Sequence, residues 1–124
     1  MSSEIITSLD VLEEPFRSAV RGLLADLMER RTYFAVTETR RSYERQVELY
    51  NAGKSRTMRS LHLVGKAIDV APVLLYSDSR VQELTWDKAH PSWEILGELA
   101  DKWELNWGGR WKNFQDFPHL EARA

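Results

Sequence analysis

Apolar residues recur at helical spacing near the start of the chain: Phe16, Val20, Leu23, Leu24, Leu27 and Met28, behind Pro15, which suits a first turn because its missing N–H costs nothing there. This pattern predicts an amphipathic helix from about Glu14 to Arg31. The period then changes. "TYFAVTET", residues 32–39, is short and dense in β-branched and aromatic residues and reads as a strand entering the core. Ser42 is a suitable N-cap for a second helix over "YERQVELYNAG", in which Tyr43, Val47 and Tyr50 share a face and Gly53 supplies the stop. Residues 54–60, "KSRTMRS", have no periodicity and read as an exposed loop.

From Lys66 to Ala71 the alternation is that of a strand, with Ala67, Asp69 and Ala71 on one face and Ile68 and Val70 on the other. Gly65, the two β-branched residues and Pro72 all disfavour a helix there. Residues 77–91 are polar and read as a loop. A third helix is expected from Ser92 to about Trp103, with Trp93, Leu96, Ala100 and Trp103 on one side. "LNWGGRW" reads as a strand running into a glycine turn, and "DFPHLEAR" as a last short extended segment, since Phe117 precedes a proline. Strands interspersed with helices, without regular βαβ spacing, predict an α+β domain with a small, mainly antiparallel sheet and flanking helices.

At 124 residues, with no repeat or linker, the chain fits one domain spanning 1–124. A formal net charge of −2 argues against nucleic acid or an anionic membrane as partner. No apolar run approaches the ~20 residues of a membrane span, so no membrane insertion is expected. The first residues lack the basic and apolar regions of a secretory signal, which predicts synthesis in the cytoplasm without export. Cysteine is absent, so any metal site must be built from His, Asp and Glu.

That restriction singles out His62, Asp69, Asp116 and His119, the one grouping that mixes imidazoles and carboxylates at close spacing. Two histidines and one carboxylate are a known ligand set for catalytic zinc, which lowers the pKa of bound water to about 7. A further carboxylate is then needed to move the proton, and Asp116, three residues before His119, can provide it. Each residue also has a plainer reading: His62 as a surface hydrogen-bonding group, Asp116 as a turn residue before Pro118. Asp69 is harder to place otherwise, because a carboxylate in an apolar strand is costly unless paired. His90 is a rival ligand but has no close carboxylate, and a surface role is preferred. Trp93 and Trp103 read as core, whereas Trp86, Trp107 and Trp111 are open to lining a groove. Arg40, Arg41, Lys54, Arg56 and Arg59 precede the site; a solvated loop is the ordinary reading, attraction of an acidic peptide the alternative.

Three blocks resemble one family. "SLHLVGKAID", residues 60–69, matches the S-x-H-x-x-G-x-A-x-D signature of the zinc-dependent DD-carboxypeptidases and L-alanyl-D-glutamate peptidases, peptidase family M15, which include many bacteriophage endolysins. "WGGRWKNFQDFPHLE", residues 107–121, is similar to the second signature, a Trp-Gly-Gly turn leading to D-x-P-H, and "RRSYERQVELYNAGKS", residues 40–55, to the upstream R-S-x-x-x-Q segment. The blocks stand in family order over about two-thirds of the chain. The resemblance implies the DD-peptidase (hedgehog-like) fold and one zinc ion per chain held by His62, Asp69 and His119. It implies Asp116 as catalytic base, Arg41 as the residue stabilising the oxyanion, and Ser60 and Gln46 as supporting residues. Arg40 stands where the family often has an aromatic residue, which leaves the choice between Arg40 and Arg41 open, and Arg110 stands where the endolysin branch often has Asp.

The implied substrate is the stem peptide of bacterial peptidoglycan, cut at the L-alanyl-D-glutamate bond by a monomer with no separate wall-binding domain. Such an enzyme would reach the wall after the inner membrane is breached. Removal of terminal D-alanine is the enzymatic alternative. A non-catalytic zinc-containing binding domain is the alternative of another class.

Overall fold

The structure, a computed structural model, describes residues 4–74 and 83–124. Among these it has three α-helices, α1 (Phe16–Glu29), α2 (Tyr43–Asn51) and α3 (Ser92–Lys102), and four strands, β1 (Phe34–Glu38), β2 (Ala67–Pro72), β3 (Leu105–Trp107) and β4 (His119–Ala122). The sheet is antiparallel throughout, in the order β1-β2-β4-β3. An α+β domain with a small antiparallel sheet is therefore what the chain forms. The polar segment expected over 77–91 lies partly outside the described residues.

α1 begins at Phe16, the first residue of its apolar stripe, rather than at Glu14. Glu14 stays outside the helix and its carboxylate accepts hydrogen bonds from Ser18 N (3.0 Å) and Ser18 Oγ (2.8 Å), satisfying a first-turn amide that has no partner within the helix. Pro15 takes the N-cap position rather than a place inside the first turn. α1 buries Phe16, Val20, Leu23 and Leu27, and α3 buries Trp93, Leu96, Leu99 and Ala100. Both stripes form one core with Ile68 and Val70 of β2, Leu105 of β3 and Leu120 of β4. Asp26 of α1 ties the helices together, accepting from Lys102 Nζ and Trp103 Nε1, both at 2.8 Å.

With Ile68 and Val70 committed to the core, strand alternation turns Ala67, Asp69 and Ala71 to the opposite face. The turn Leu61–Val64 packs against β2. α2 departs from expectation. Tyr43 and Tyr50 are exposed, and the helix buries Gln46 instead, so it meets the rest of the molecule through its polar side.

Candidate metal centre

His62 sits in a 3-10 turn, Leu61–Val64, set by its flanking residues. Ser60 Oγ accepts from His62 N (3.2 Å) and caps the turn; Gly65, at φ 71, ends it in a left-handed conformation, with Val11 O so near that a β-carbon would crowd it. The ring is almost fully buried, and its Nδ1 lies 2.6 Å from Thr39 O. A carbonyl can only accept, so Nδ1 carries a proton there, and Nε2 lies 3.3 Å from Asp69 Oδ1.

Asp69 and His119 are direct partners in the β2–β4 ladder. His119 Nδ1 lies 3.3 Å from the same Asp69 Oδ1, while its Nε2 is 2.7 Å from Glu121 Oε1. On the other side of β2, a bulge in β1 between Val36 and Glu38 places Glu38 opposite Asp69. Without it, Glu38 would point to the same side as Val36, into the core. Glu38, Asp69 and His119 thus form a row across three strands.

The ligand atoms offered by His62, Asp69 and His119 all lie within 4.8 Å of one another, the one such three-residue group among the described residues. Two imidazoles with their remaining nitrogens anchored on a carbonyl and a carboxylate, plus one carboxylate oxygen between them, suit a borderline ion such as Zn2+ and leave a coordination position free. His90 is not part of the group; its Nδ1 accepts from Ser92 N (3.2 Å) at the start of α3.

Charge is concentrated here. Burial opposes ionisation of Asp69, but hydrogen bonds from His119 and His62 outweigh it and hold the carboxyl well below the usual carboxylate range. Burial likewise disfavours a charged His119, yet hydrogen bonds to Asp69 and Glu121 prevail and raise it to about 9 in the metal-free protein. Asp116, unlike Asp69, is raised: burial first, then the negative charge of Asp69, make it a better proton acceptor than an ordinary aspartate in the metal-free protein.

Asp116 is positioned by the glycine turn. Its N–H donates to Gly108 O (3.0 Å), its carbonyl accepts from His119 N (3.1 Å), and a β-carbon on Gly108 would collide with that carbonyl oxygen. Arg41, buried, donates through Nη2 to Glu38 Oε1 (2.8 Å) and through Nη1 to Gln46 Oε1 (2.9 Å), and Nη2 lies 3.6 Å from Asp69 Oδ2. Arg40 is exposed and does not line the groove. Gln46, fully buried, also donates to Ser55 Oγ (2.9 Å) and Thr57 O (2.6 Å), joining α2 to the following loop.

His62, Asp69, Asp116 and His119 all line a groove of about 570 Å³, with Trp111 stacked at a tilt on His119, centroids 5.1 Å apart. Trp107 stands behind, packed on Phe117 and donating to its carbonyl (2.7 Å), and Trp86 is exposed away from the groove. A larger hollow, about 780 Å³, lies between the start of α1 and β4, but no histidine lines it. Sequence reasoning singled out neither Glu38 nor Glu121 nor the Thr39 carbonyl. Glu121 had a signal, because two residues beyond His119 in an extended run is the same face.

Comparison with known proteins agrees with this geometry. Peptidoglycan L-alanyl-D-glutamate endopeptidase CwlK of Bacillus subtilis is 34% identical over 98 residues, covering 69% of this chain and 58% of that protein. The L-alanyl-D-glutamate peptidase of Listeria phage A118 is 29% identical over 121 residues, 96% of this chain and 41% of the relative. The chain therefore spans only about two- to three-fifths of these relatives' lengths. The crystal structure of Serratia marcescens L-Ala D-Glu endopeptidase ChiX superposes with a TM-score of 0.72 at 28% identity, covering 98% of this chain and 92% of that one. The profile of the M15 peptidases described as D-alanyl-D-alanine carboxypeptidase matches residues 53–122, from the loop before His62 to the end of β4. With more than half of its length in that match and the His-Asp-His group inside it, the chain belongs to the M15 peptidase family.

Proposed function

We propose that this chain is a zinc peptidase that hydrolyses the L-alanyl-D-glutamate amide bond of peptidoglycan stem peptides, acting as a single catalytic domain with one Zn2+ held by His62, Asp69 and His119. The observation that carries the reading is the convergence of three ligand atoms within 4.8 Å in a groove that also holds Asp116, a carboxylate outside the ligand group. A structural zinc site is normally closed by four protein ligands, whereas this set leaves a position open. Zinc in such a site supplies Lewis acidity, activating water near neutral pH and polarising the scissile carbonyl.

The protein's own residues supply the rest. Asp116, whose proton affinity is raised, takes the proton of the attacking water and delivers it to the leaving amine. Arg41, immobilised by Glu38 and Gln46, presents a fixed guanidinium for the negative charge that develops on the carbonyl oxygen. Glu121 and the Thr39 carbonyl orient the two imidazoles. The L-alanyl-D-glutamate bond is supported by the names of the two curated relatives and of the ChiX structure. The phage relative supports a lytic setting, with action on the wall once the membrane is opened.

Removal of terminal D-alanine is favoured by the description of the matching family. Digesting purified peptidoglycan with and without chelator, then identifying new termini by mass spectrometry, decides between them. New N-terminal D-glutamate is the expected product; free D-alanine would transfer the assignment to the carboxypeptidase, and no chelator-sensitive cleavage would refute both.

A further inference from the structure

The groove has an uneven distribution of charge. Glu38, Asp69, Asp116 and Glu121 supply its carboxylates, and Arg41 and Arg45 are engaged by Glu38 at 2.8 and 3.1 Å. Lys54, Arg56 and Arg59 also line it, are exposed, and have no carboxylate partner among the described residues.

These cations stand on a built loop. Lys54 N and Ser55 N both donate to Leu49 O (2.9 and 3.1 Å), Arg59 N donates to Thr57 Oγ1 (2.9 Å), and buried Gln46 holds Ser55 and Thr57. The Arg56 guanidinium lies 4.4 Å from the ring centroid of Phe114, which belongs to the segment between Trp111 and Asp116. A merely solvated loop needs no such tether; here one glutamine fixes both Arg41 and the cationic loop. The loop backbone is held while the charged ends stay exposed, and three positive charges with no carboxylate partner among the described residues, lining one groove, favour an anionic group on the peptide.

The proposed substrate has such a group. The D-glutamate that supplies the scissile nitrogen has two carboxyls; the stem continues through one, and the other is left as a free carboxylate or, in some walls, as its amide. We propose that Lys54, Arg56 and Arg59 form a subsite for that free carboxylate, making the enzyme selective for D-glutamate over its carboxamide form. This deepens the reading given above and rests on it.

The test uses two soluble muropeptides that differ only in carrying the acid or the amide at that position, cleaved by the metal-loaded protein. The acid form should be preferred by about tenfold in kcat/KM, mostly through KM, as for a charge-assisted hydrogen bond, and added salt should compress the ratio. The triple variant Lys54→Gln, Arg56→Gln, Arg59→Gln should bring the ratio toward one at unchanged metal content, while Arg56→Lys alone should keep most of it. Equal cleavage of both peptides by the unaltered protein, or a ratio that survives the triple variant, would overturn the subsite and leave the endopeptidase reading standing. Cleavage of neither peptide at the alanyl-glutamate bond would refute that reading and the subsite with it.

Discussion

His119 is gripped by Asp69 and Glu121 from opposite sides of its ring, Nδ1 at 3.3 Å from Asp69 Oδ1 and Nε2 at 2.7 Å from Glu121 Oε1. Strand periodicity produces this arrangement. Asp69 is the cross-strand partner of His119 on β2, and Glu121 follows two residues later on the same face of β4. The imidazole therefore presents Nδ1 to the metal position with its other nitrogen already engaged. Glu121→Ala should lower zinc affinity by about 10–100-fold, the usual effect of losing a partner behind a histidine ligand. Glu121→Gln keeps an acceptor oxygen and should lose less. Competition against a chromophoric chelator measures both, and equal affinity in the alanine variant would deny Glu121 this orienting role.

The pH dependence of metal uptake follows from the same pair of contacts. Because His119 in the metal-free protein titrates at about 9, its Nδ1 carries a proton below that pH and must release it on binding. Apparent affinity should then rise by about tenfold per pH unit toward pH 9 and level off above. Folding stability of the metal-free chain has the opposite sign. A histidine whose pKa is raised on folding stabilises fully below its unfolded value of 6.5, and this contribution is lost as pH rises through about 9. The metal-free thermal midpoint should thus fall over that window. A midpoint that climbs instead would rule out a protonated His119 in the folded state.

Asp116 can be separated from the ligands by experiment. Asp116→Asn should retain zinc, since the three candidate ligand atoms come from other residues, but should lower kcat by about 10²–10⁴-fold, the range for a lost general base. As the proposed base, Asp116 must be ionised to act. In the metal-free protein its pKa lies above that of an ordinary aspartate, chiefly through burial, and the same burial should make activity decline on acidification. Zinc analysis paired with a pH–rate profile checks both parts; full activity in the asparagine variant would remove Asp116 from the mechanism.

Periodicity made α1, α3 and β2 legible because each buries an apolar stripe against the same core. The S-x-H-x-x-G-x-A-x-D and D-x-P-H blocks likewise pointed to three residues that the fold does bring together. α2 resisted this reasoning. Its tyrosines face outward and its buried residue is Gln46, for a helix that packs on a polar site need not bury its apolar face. Glu38 was hidden for another reason: a bulge interrupts the alternation of β1, and a bulge has no reliable mark in a single sequence. The Thr39 carbonyl that fixes the His62 tautomer is backbone, which residue identity does not report.

Gly108 provides the sharpest test of how the fold holds Asp116. Asp116 N donates to Gly108 O, and the space where a Gly108 side chain would begin is occupied by the Asp116 carbonyl oxygen, with Asp116 Cβ 3.1 Å away. Neither neighbour is the far end of a flexible side chain, so Gly108→Ala can be accommodated only by moving the turn. That same turn supports His119, whose N–H donates to Asp116 O, so Asp116 and His119 should be displaced together. We expect a loss of about 1–3 kcal/mol in stability, as for other overpacked sites, together with weaker zinc binding and a large fall in activity. Gly53 supplies the contrast: it has open space around it but a φ of 73, so Gly53→Ala should cost about 1 kcal/mol of backbone strain while leaving zinc affinity unchanged. Chemical denaturation and chelator competition on the two variants distinguish local collision from general destabilisation. If Gly108→Ala bound zinc as tightly as the unaltered chain, the glycine turn would not be what sets the position of His119.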